Sequence, residues 1–492
     1  MRLNLLLRGL SPCLIKGTRD IDIGSISYNS KQVKGRGMFF AVEGADLNGY
    51  DYIDEAIQRG AVCIVAEEDF ITYKSITKVI VRDIRISCAK IAANFYNHPS
   101  DRMNVTGITG TNGKTTTLYM VSALLRQAGM SCGMIGTVSY EIGPRSIPAV
   151  NTTPSSVTLQ MLLSDMEASG IKNCAMEVSS HALDQGRVEE IKFNRVIFTN
   201  LTGEHLDYHG NMDAYFQAKR KLFSMLKEGG CSIINIDDSY GSLLAGETKG
   251  RMLTYGIKGP ADIKACEISR TAEGTSFKVC ARGETFYIDG PIIGEHNIYN
   301  MLSAIAFAVS VGLSLSCIKA AMKDFKPAPG RMERINYREG GISVFIDYAH
   351  TDNALFNVLT ALAEIKQKRI ITVFGCGGDR DKQKRPRMAR VAAGLSDFVV
   401  ITSDNPRGEE PGAIIDDIKK GLPEGFEDYK IIVDREKAIR HALTRARRGD
   451  IVLIAGKGHE SYQVMKDVTI AFDDKKVAFE AMKSLGLSEN AV

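Results

Sequence analysis

Short apolar runs alternate along the chain with amphipathic stretches, and several of the apolar runs end in polar or glycine-rich loops. Alternating apolar positions at 103–108 predict a strand. Leu118, Val121 and Leu125 then fall at helical spacing, and Gly129 is typical of a helix C-terminal cap. The pattern predicts the order strand, glycine-rich loop, helix, which is typical of the α/β class.

Four apolar runs in the last third of the chain repeat this design. They end in the polar segments DYAH, GCGGDRD, DNPR and GKGHE. Parallel α/β sheets bind ligands at the carboxyl ends of their strands, so the pattern predicts a parallel sheet whose loops carry the function. GCGGDRD lacks the register of GxGxxG, which argues against a dinucleotide site.

The chain length of 492 residues suggests about three domains. We expect a first domain at 1–98, which alternates strands and helices without a catalytic signature. A central domain at 99–328 contains the glycine loop. A proline- and glycine-containing boundary, KPAPGRMERI, leads into a third domain at 329–492.

Composition is ordinary for a soluble globular protein, with 44% hydrophobic and 24% charged residues. The net charge of +4 gives no reason to expect binding to nucleic acid or membrane. Ten cysteines without CxxC pairs are typical of reduced thiols, and the N-terminal apolar run is too short for a membrane span. We therefore expect a cytoplasmic protein.

The run GITGTNGKTT at 107–116 has the residue types of a phosphate cradle. Glycines and a helix N-terminus present backbone N–H groups to an anion, Lys114 neutralises it, and Thr115 can hold Mg²⁺. The generic phosphate loop would have a glycine where this chain has Ile108. A glycine-rich loop without a ligand stays open as the alternative.

Two further segments of the central region are candidates for metal binding. Glu177 is predicted at the end of a buried strand, and His205 lies in the polar loop that follows another strand. An isolated glutamate in such a place is usually structural. Because Mg²⁺ prefers oxygen ligands, Glu177 and Thr115 are the easier assignments and His205 is the less expected one.

Lys219 interrupts an apolar stripe in the helix predicted at 213–226, between Tyr215 and the pair Leu222 and Leu226. One interpretation is that Lys219 extends its ammonium group to solvent. The other is a lysine held in a site, where partial burial would lower its pKa and favour the neutral amine. Such an amine can take up CO₂ and become a carbamate, an anionic oxygen ligand for Mg²⁺.

The motifs GTNGKTT, MEVSSHAL, HLDYHG, YFQAKRKLF, EHNIYN, GRMERI, DYAH, GCGGDRDKQKRP, DNPR and GKGHE occur in this order. In this order they resemble the Mur ligase family over essentially the whole chain. The resemblance is most specific to the UDP-N-acetylmuramoyl-tripeptide synthetases. One departure is Asp352, because the family usually has proline after DYAHT; we expect a looser turn that retains His350.

The resemblance implies a uridine-nucleotide-binding first domain, a central P-loop-type ATPase with a mostly parallel sheet, and a C-terminal Rossmann-like domain for an amino acid. Lys114, Lys219 and His205 match catalytic positions, and Lys219 matches the family's carbamylated lysine. Thr115, Glu177, His205 and Lys219 match the Mg²⁺ positions. The remaining matches are to ATP-binding positions (Gly110, Thr111, Asn112, Gly113, Lys114, Thr115, Thr116, Asn300, Arg331, Asp347), to positions that hold UDP-MurNAc-L-Ala-D-Glu (Ser30, Asn151, Thr152, Thr153, Ser179, Gln185, Arg187), and to the diaminopimelate site (Arg380, Asp404, Asn405, Pro406, Arg407, Gly456, Glu460).

The resemblance also implies the chemistry. ATP with Mg²⁺ converts the D-Glu carboxylate to an acyl phosphate, and the incoming amine displaces phosphate to form an amide. The partners are then small molecules, and we expect a monomer. Two alternatives stay open, the L-lysine-adding ligase of the same family and a folylpolyglutamate synthetase-like ligase.

The DNPR segment bears on which amino acid is added. Meso-diaminopimelate carries a distal carboxylate that L-lysine lacks, and the Arg407 guanidinium suits a carboxylate, with Asn405 as a further hydrogen-bond partner. Glu460 could meet the distal ammonium group. The alternative is an ordinary Asx-Pro turn with an exposed arginine. We expect meso-diaminopimelate as the substrate.

Overall fold

The computed structural model describes residues 1–44, 47–72, 74–271, 274–281, 283–335, 341–466 and 468–485. Contacts divide the chain into two compact units. The first comprises residues 1–114, 128–234 and 238–253, and the second comprises 115–127, 235–237 and the residues from 254 onward. Strands and helices alternate in both, so the predicted α/β class is confirmed. None of the described helices has the length and apolarity needed to cross a bilayer.

The first unit opens with a five-stranded sheet in the order β1-β5-β4-β3-β2. Only β1 runs antiparallel to its neighbour. Helix α3 packs its apolar face on this sheet and is capped by the Asp83 carboxylate. The elements are α1 (Leu3–Leu6), β1 (Leu14–Lys16), β2 (Ser25–Ser27), β3 (Gly37–Phe40), α2 (Ile53–Gln58), β4 (Ala61–Ala66), β5 (Thr77–Ile80) and α3 (Ile84–Phe95).

The same unit contains the strands that surround the glycine loop. They are β6 (Asn104–Thr109), β7 (Cys132–Ile135), β8 (Ser139–Ile142), β9 (Arg145–Pro148), β10 (Asn173–Glu177), β11 (Phe193–Phe198) and β12 (Leu226–Asn235). Strand β6 lies between β10 and β11 and is parallel to both, with Glu177 opposite Ile108 and Ile108 opposite Ile197. The carboxyl ends of these three strands therefore meet at one edge, where the loop begins.

Five helices of the first unit follow these strands along the chain: α5 (Ser156–Ala168), α6 (Ser180–Asp184), α7 (Leu206–His209), α8 (Met212–Arg220) and α9 (Ser239–Glu247). Helix α4 (Lys114–Gln127) follows β6, and from residue 115 on it belongs to the second unit. The predicted strand at 103–108 and the helix after it are confirmed. Leu118, Val121 and Leu125 are buried, and Gly129 adopts a positive φ of 70° two residues after α4 ends.

The single helix predicted at 213–226 is wrong in its second half. Helix α8 ends at Arg220, a 3₁₀ turn covers Lys221–Met225, and β12 begins at Leu226. The reason lies in the packing, because the two halves fill different cores. Tyr215 packs with Phe198, whereas Leu222 packs in the cluster that contains Phe193. The change of helix type turns Leu222 toward that second core.

Strand β13 (Arg251–Gly256) ends in the second unit, where Tyr255 pairs with Ile263. An antiparallel meander follows, β14 (Ile263–Thr271), β15 (Gly274–Ala281) and β16 (Glu284–Gly290). Two helices come next, α10 (Glu295–Val311) and α11 (Leu315–Lys323). Helix α10 is buried on nearly all sides, which explains its almost continuous run of apolar residues.

The last part of the second unit is a doubly wound sheet in the order β17-β18-β22-β19-β20-β21. All neighbours are parallel except β17, an antiparallel edge strand. The strands are β17 (Glu333–Ile335), β18 (Ser343–Asp347), β19 (Ile370–Phe374), β20 (Phe398–Ile401), β21 (Tyr429–Ile431) and β22 (Ile451–Ala455), followed by a hairpin of β23 (Tyr462–Val464) and β24 (Thr469–Ala471). The predicted parallel arrangement of the four apolar runs is confirmed.

Helices cover both faces of this sheet. Residues of α12 (Asp352–Ile365), α13 (Lys384–Leu395) and α14 (Pro411–Lys419) form one core with the sheet. Residues of α15 (Arg435–Arg445) and α16 (Asp474–Ser484) form the other. Coverage on both faces explains why the strands read as unbroken apolar runs. The polar segments DYAH, GCGGDRD, DNPR and GKGHE follow the carboxyl ends of β18, β19, β20 and β22.

Candidate active site

The glycine loop between β6 and α4 is held by the residues that follow β11. Thr111 donates its N–H to the Asn200 carbonyl at 2.8 Å, and the Asn112 N–H is bound by the Asn200 side chain at 2.9 Å. At Gly110, a Cβ would lie 1.9 Å from Thr199 Oγ1, so only glycine fits there. The loop therefore has a fixed course before α4 begins.

Lys114 begins α4 and folds back over this loop. Its Nζ donates to the carbonyl oxygens of Gly110 at 2.9 Å and Thr111 at 2.8 Å. The ammonium group thus lies against the loop, beside the N-terminus of α4 whose first turn contains Thr115 and Thr116. Positive charge and a helix N-terminus together are the physical elements of an anion site.

Lys219 reaches the same carbonyl from α8. It is only 2% exposed, its Nζ donates to Gly110 O at 2.8 Å, and it lies 4.6 Å from the centroid of the Tyr215 ring. Burial lowers the pKa of this lysine well below its ordinary value, and the charge of Lys114 lowers it further. The interpretation in which Lys219 extends to solvent is wrong, because α8 packs this face inward against the loop.

Glu177 lies at the end of β10, as predicted, and is fully buried. Its two carboxylate oxygens accept hydrogen bonds from Thr137, one from the backbone N–H at 2.9 Å and one from the hydroxyl at 3.1 Å. No sequence pattern indicated Thr137. These bonds fix the orientation of a carboxylate at the same sheet edge as the loop.

His205 precedes α7 with a positive φ of 57° and packs in a cluster of aromatic rings. Its ring centroid lies 4.7 Å from that of His181 and 6.3 Å from that of Tyr215. Burial lowers the pKa of His205 and lowers that of His181 to about 4. Both imidazoles are therefore neutral near pH 7, the form in which a ring nitrogen can bind a metal.

The described residues contain no group of three or more His, Cys, Asp and Glu side chains arranged to hold a metal ion. One buried carboxylate, a hydroxyl and a neutral imidazole are a sparse set for a protein-only site. Mg²⁺ typically binds one or two protein oxygens and completes its shell with substrate phosphates and water. The donors at this edge fit that mode, and they do not fit a closed metal cage.

Most of the residues matched to the uridine-nucleotide substrate form one hydrogen-bonded network. Thr153 donates its hydroxyl to the Glu177 carbonyl at 2.9 Å and receives the Ser179 N–H at 3.0 Å. Arg187 donates to the Thr153 carbonyl at 3.0 Å and to the Gln185 side chain. Burial lowers the pKa of Arg187, because its guanidinium group is partly removed from water.

The other matched residues lie around this network. The hydroxyl groups of Thr152 and Thr137 form a hydrogen bond of 3.1 Å. The Tyr140 hydroxyl donates to the Asn151 carbonyl and accepts the Asn151 N–H. Ser30 is different. It lies in a 3₁₀ turn and donates its hydroxyl to Glu55 at 2.6 Å. Among the described residues, no hydrogen bond joins Ser30 to the Arg187 network.

In the second unit, the residues matched to nucleotide contacts cluster around Arg331. Its Nη2 lies 3.4 Å from Thr115 Oγ1 and its guanidinium lies 4.9 Å from the Tyr348 ring, while its buried Nε has no hydrogen-bond partner among the described residues. Asp347 receives the backbone N–H groups of Met332 and Ala349. A half-buried arginine whose buried Nε has no partner among the described residues fits an anionic ligand.

Asn300 lies inside α10 rather than capping it, so the usual capping role does not apply. Its Nδ2 donates to Asn297 Oδ1 at 3.0 Å, and Asn297 in turn donates to the Ile293 carbonyl. The residue at the N-cap position is Gly294, which makes no side-chain cap.

The DNPR segment at 404–407 lies after β20 and is joined to the GKGHE segment. Asn405 donates its Nδ2 to Glu460 Oε2 at 2.8 Å. Arg407 has a positive φ of 51° and donates Nη1 to the Gly378 carbonyl at 2.7 Å. A Cβ at Gly378 would lie 1.9 Å from the Pro406 carbonyl, so the GCGGDRD and DNPR segments pack backbone to backbone.

Gly456 and Arg380, two further positions matched to the diaminopimelate site, differ in how close they lie to the DNPR segment. Gly456 has a φ of 116°, and a Cβ there would lie 2.6 Å from Asp404 Oδ2, so the strand end approaches DNPR closely. Arg380 is exposed, and its side chain donates a hydrogen bond to the Asp379 carbonyl at 3.2 Å. The hydrogen bonds of the described residues therefore do not bring Arg380 into the cluster.

Three buried cations that support this region were missed. Lys457 binds Asn405 and Glu460, Arg435 forms a bidentate pair with Asp474, and Arg385 binds Glu409 and Asp417. Lys457 lies within the quoted GKGHE segment, so its position was a usable signal. Arg435 and Arg385 lie on helices, where nothing in the sequence separates a buried arginine from an exposed one.

Three Mur ligase family models match the chain in order. They are the Mur ligase family, catalytic domain, at residues 22–96, the Mur ligase middle domain at 108–308, and the Mur ligase, glutamate ligase domain, at 330–458. A UDP-N-acetylmuramoyl-L-alanyl-D-glutamate–2,6-diaminopimelate ligase from Caldanaerobacter subterraneus subsp. tengcongensis is 43% identical over 482 residues, covering 98% of this chain and 99% of the relative.

Solved structures of Mur ligases share the fold. The structure of a UDP-N-acetylmuramoyl-L-alanyl-D-glutamate–2,6-diaminopimelate ligase matches this chain with a TM-score of 0.70. The two sequences are 29% identical, and the match covers 99% of this chain and 100% of the other. The MurF ligase from Thermotoga maritima, solved in complex with ADP, has a TM-score of 0.67 at 18% identity, covering 94% and 97%. The chain belongs to the Mur ligase family, with its three-domain architecture.

Proposed function

We propose that the chain is an ATP-dependent ligase of peptidoglycan synthesis that adds meso-2,6-diaminopimelate to UDP-N-acetylmuramoyl-L-alanyl-D-glutamate. The full-length relative described above carries the name of this activity. The structural observation that carries the proposal is the convergence of Lys114 and Lys219 on the Gly110 carbonyl in a glycine loop that precedes a helix. That arrangement places the Lys114 ammonium group and a second, buried lysine side chain where a phosphoryl group would be transferred.

We assign the domains to 1–98 for the uridine nucleotide, 99–328 for ATP, and 329–492 for the incoming amino acid. The first is supported by the separate five-stranded sheet, after which α3 follows in the chain, and the last by the doubly wound sheet. ATP and a nucleotide-linked precursor are cytoplasmic molecules, so we place the protein in the cytoplasm. We expect it to act as a monomer, since each of the proposed ligands is a small molecule.

ATP would bind at the loop of 110–116. Backbone N–H groups and Lys114 would hold its phosphates, and Arg331 is assigned to the nucleotide through its family position. Asn300 and Asp347 are assigned to the nucleotide through their family positions, and Asp347 is buried as such a role requires. A bound Mg²⁺ would supply a Lewis acid at the phosphoryl oxygens. Thr115, Glu177, His205 and carbamylated Lys219 would hold it.

Lys219 has the chemistry needed for carbamylation. Its lowered pKa gives the neutral amine, whose lone pair can attack CO₂. The resulting carbamate is an anion placed beside Lys114. In this state a neutral amine is replaced by a carbamate, which attracts the Lys114 ammonium group.

The dipeptide end of the nucleotide substrate would bind along the Thr152, Thr153, Ser179, Gln185 and Arg187 network. This network shares Glu177 with the proposed metal site, through the bond from Thr153 to the Glu177 carbonyl. The substrate's D-Glu carboxylate, which accepts the phosphoryl group, would therefore be held close to the proposed metal site. Orientation of this kind lowers the barrier of a reaction between two bound groups. Asn151 and Ser30 complete the proposed set.

The amino acid would bind at Arg380, Asp404, Asn405, Pro406, Arg407, Gly456 and Glu460. Its carboxylates would be met by arginine side chains, since a guanidinium donates two parallel hydrogen bonds to a carboxylate. Its reacting amine would attack the acyl phosphate formed on the D-Glu side chain. The amide bond forms as the phosphate leaves with the electron pair of the broken carbon–oxygen bond.

The test is ADP release by the purified protein with ATP and Mg²⁺. We expect release only when both UDP-N-acetylmuramoyl-L-alanyl-D-glutamate and an amino acid are present, with a tripeptide product of the expected mass. Turnover supported by a folate and glutamate instead would favour the folylpolyglutamate alternative. Nucleotide binding without turnover under any of these conditions would contradict a ligase function.

A further inference from the structure

Lys457 is a buried cation at the end of β22, inside the cluster assigned to the amino acid. Its side chain is 0% exposed. Nζ donates to Asn405 Oδ1 at 2.9 Å and to Glu460 Oε2 at 3.0 Å, and it lies 5.7 Å from the centroid of the Tyr462 ring. A lysine ammonium is seldom removed fully from water unless its partners compensate for the lost hydration.

The contacts of Lys457 fix the orientation of the Asn405 amide. Asn405 Oδ1 accepts both the Lys457 ammonium and the Val464 N–H, the latter at 2.9 Å, and these two donors identify the oxygen side of the amide. Asn405 Nδ2 is then directed to Glu460 Oε2. Without Lys457, the amide loses one of the two donors that set this orientation.

Lys457 also occupies one half of the Glu460 carboxylate. Oε2 receives both Lys457 Nζ and Asn405 Nδ2, whereas Oε1 receives no hydrogen bond from any described residue. The pair of opposite charges cancels at this point. Apart from the exposed Arg380, the assigned set also contains one positive and one negative side chain, Arg407 and Asp404, so Lys457 is the charge that balances Glu460.

We propose that Lys457 is a positioning residue that sets specificity, because it neutralises Glu460 and so keeps this cluster selective for an amino acid with a distal carboxylate. The inference rests on the proposed function. A distal end with a carboxylate and an ammonium group is neutral overall, while the lysine side chain brings a single positive charge. The Lys457 ammonium disfavours the latter, since like charges close together in a site are unfavourable.

Removal of Lys457 changes the charge balance in a definite direction. In Lys457→Met, Glu460 is no longer paired and the net charge falls by one, so a lone ammonium group becomes acceptable. In the double variant Lys457→Met/Glu460→Gln, both charges are gone and the net charge returns to that of the wild type. Loss of the contact between Glu460 and the distal ammonium affects both amino acids alike, so it cancels in their ratio.

The experiment measures kcat and KM of the wild type and these variants with meso-diaminopimelate and with L-lysine. We expect the ratio of kcat/KM for diaminopimelate over lysine to fall by at least about tenfold in Lys457→Met and to recover in the double variant. Lys457→Arg should keep most of the ratio because it keeps the charge. Lys466→Met is the matched control, since it removes the same charge from an exposed lysine of the following segment.

A purely structural role predicts a different result. Both amino acids would then lose kcat/KM equally, and the ratio would stay constant through the series, which would overturn the inference. If Lys457→Met does not fold, Lys457→Gln and the double variant make the same comparison. A wild type that ligates neither amino acid would refute the proposed function, whereas diaminopimelate ligation with an unchanging ratio would refute only the role of Lys457.

Discussion

Lys219 combines two properties that single-residue measurements can separate, its burial and its proposed carbamylation. Burial alone makes a prediction about stability. In the unfolded chain a lysine keeps its proton up to about pH 10.4, but the pKa of Lys219 in the folded protein is well below that value. Between these two pKa values the unfolded chain therefore holds one proton more than the folded protein.

The free energy of unfolding of the wild type should consequently rise with pH relative to that of Lys219→Met, by about 1.4 kcal/mol per pH unit for one proton. The cost of burying the lysine is greatest at low pH and is relieved as the pH approaches the unfolded value. Urea unfolding of both proteins in CO₂-free buffer, from about pH 8 to about pH 9.5, measures the difference. Parallel stability curves would contradict the burial of a neutral amine.

The proposed carbamate makes a prediction about activity. Lys219→Ala should nearly abolish ligation while the protein stays folded, because an anionic oxygen ligand is removed from the metal site. Small added carboxylates should partly restore ligation by occupying the vacated space. Near wild-type activity of Lys219→Ala at low CO₂ would rule out the carbamate, and folding is checked by circular dichroism of the same samples.

At the level of elements, the strand–loop–helix unit concentrates the proposed catalytic charge. Lys114→Ala removes a cation that lies against the loop through two hydrogen bonds. We expect a loss of about 3 kcal/mol of transition-state stabilisation, a hundredfold or more in kcat. Single-turnover phosphoryl transfer to the UDP-muramoyl dipeptide measures it directly. An unchanged rate in that assay would mean that the loop is not the phosphate cradle.

The course of the loop depends on Gly110. Gly110→Ala places a methyl group 1.9 Å from Thr199 Oγ1, which forces the loop away from the residues after β11. We expect nucleotide affinity to fall strongly, measured by titration with ADP. The matched control is Gly246→Ala in α9, where the new methyl group meets nothing within 4 Å. Equal affinities of the two variants would show that the close contact at Gly110 has no bearing on nucleotide binding.

The strands and helices that the sequence predicted correctly are those that depend on the local pattern of apolar and polar residues. The strand before the glycine loop, the helix after it and the position of Glu177 at a strand end followed from periodicity. The helix at 213–226 was predicted too long, because periodicity cannot show that Tyr215 and Leu222 pack into different cores. At Asp352 we expected a looser turn. There, α12 begins with a Thr351 cap, and Asp352 pairs with Arg387 at 3.1 Å.

For the whole molecule, the order of strands along the chain predicted which polar segments would lie at the same sheet edge. The partners of individual side chains could be identified only from the folded structure. Thr137 on Glu177 and Arg435 on Asp474 join residues that are 40 and 39 positions apart. No local sequence pattern predicts such pairs. The resemblance to the Mur ligases supplied candidate residues, but burial of Lys219 and the contacts of Lys457 came from packing alone.

The central claim at this scale is the ligation of a particular amino acid to a particular nucleotide precursor. The most direct test offers meso-diaminopimelate and L-lysine separately to the purified protein with ATP, Mg²⁺ and UDP-N-acetylmuramoyl-L-alanyl-D-glutamate. The amide product is quantified by mass, so that uncoupled ATP hydrolysis does not count. Because a lysine side chain would leave the guanidinium of Arg407 without a carboxylate, we predict a preference for diaminopimelate that can reach roughly 10⁴-fold in kcat/KM. An equal or higher kcat/KM for L-lysine would contradict the account.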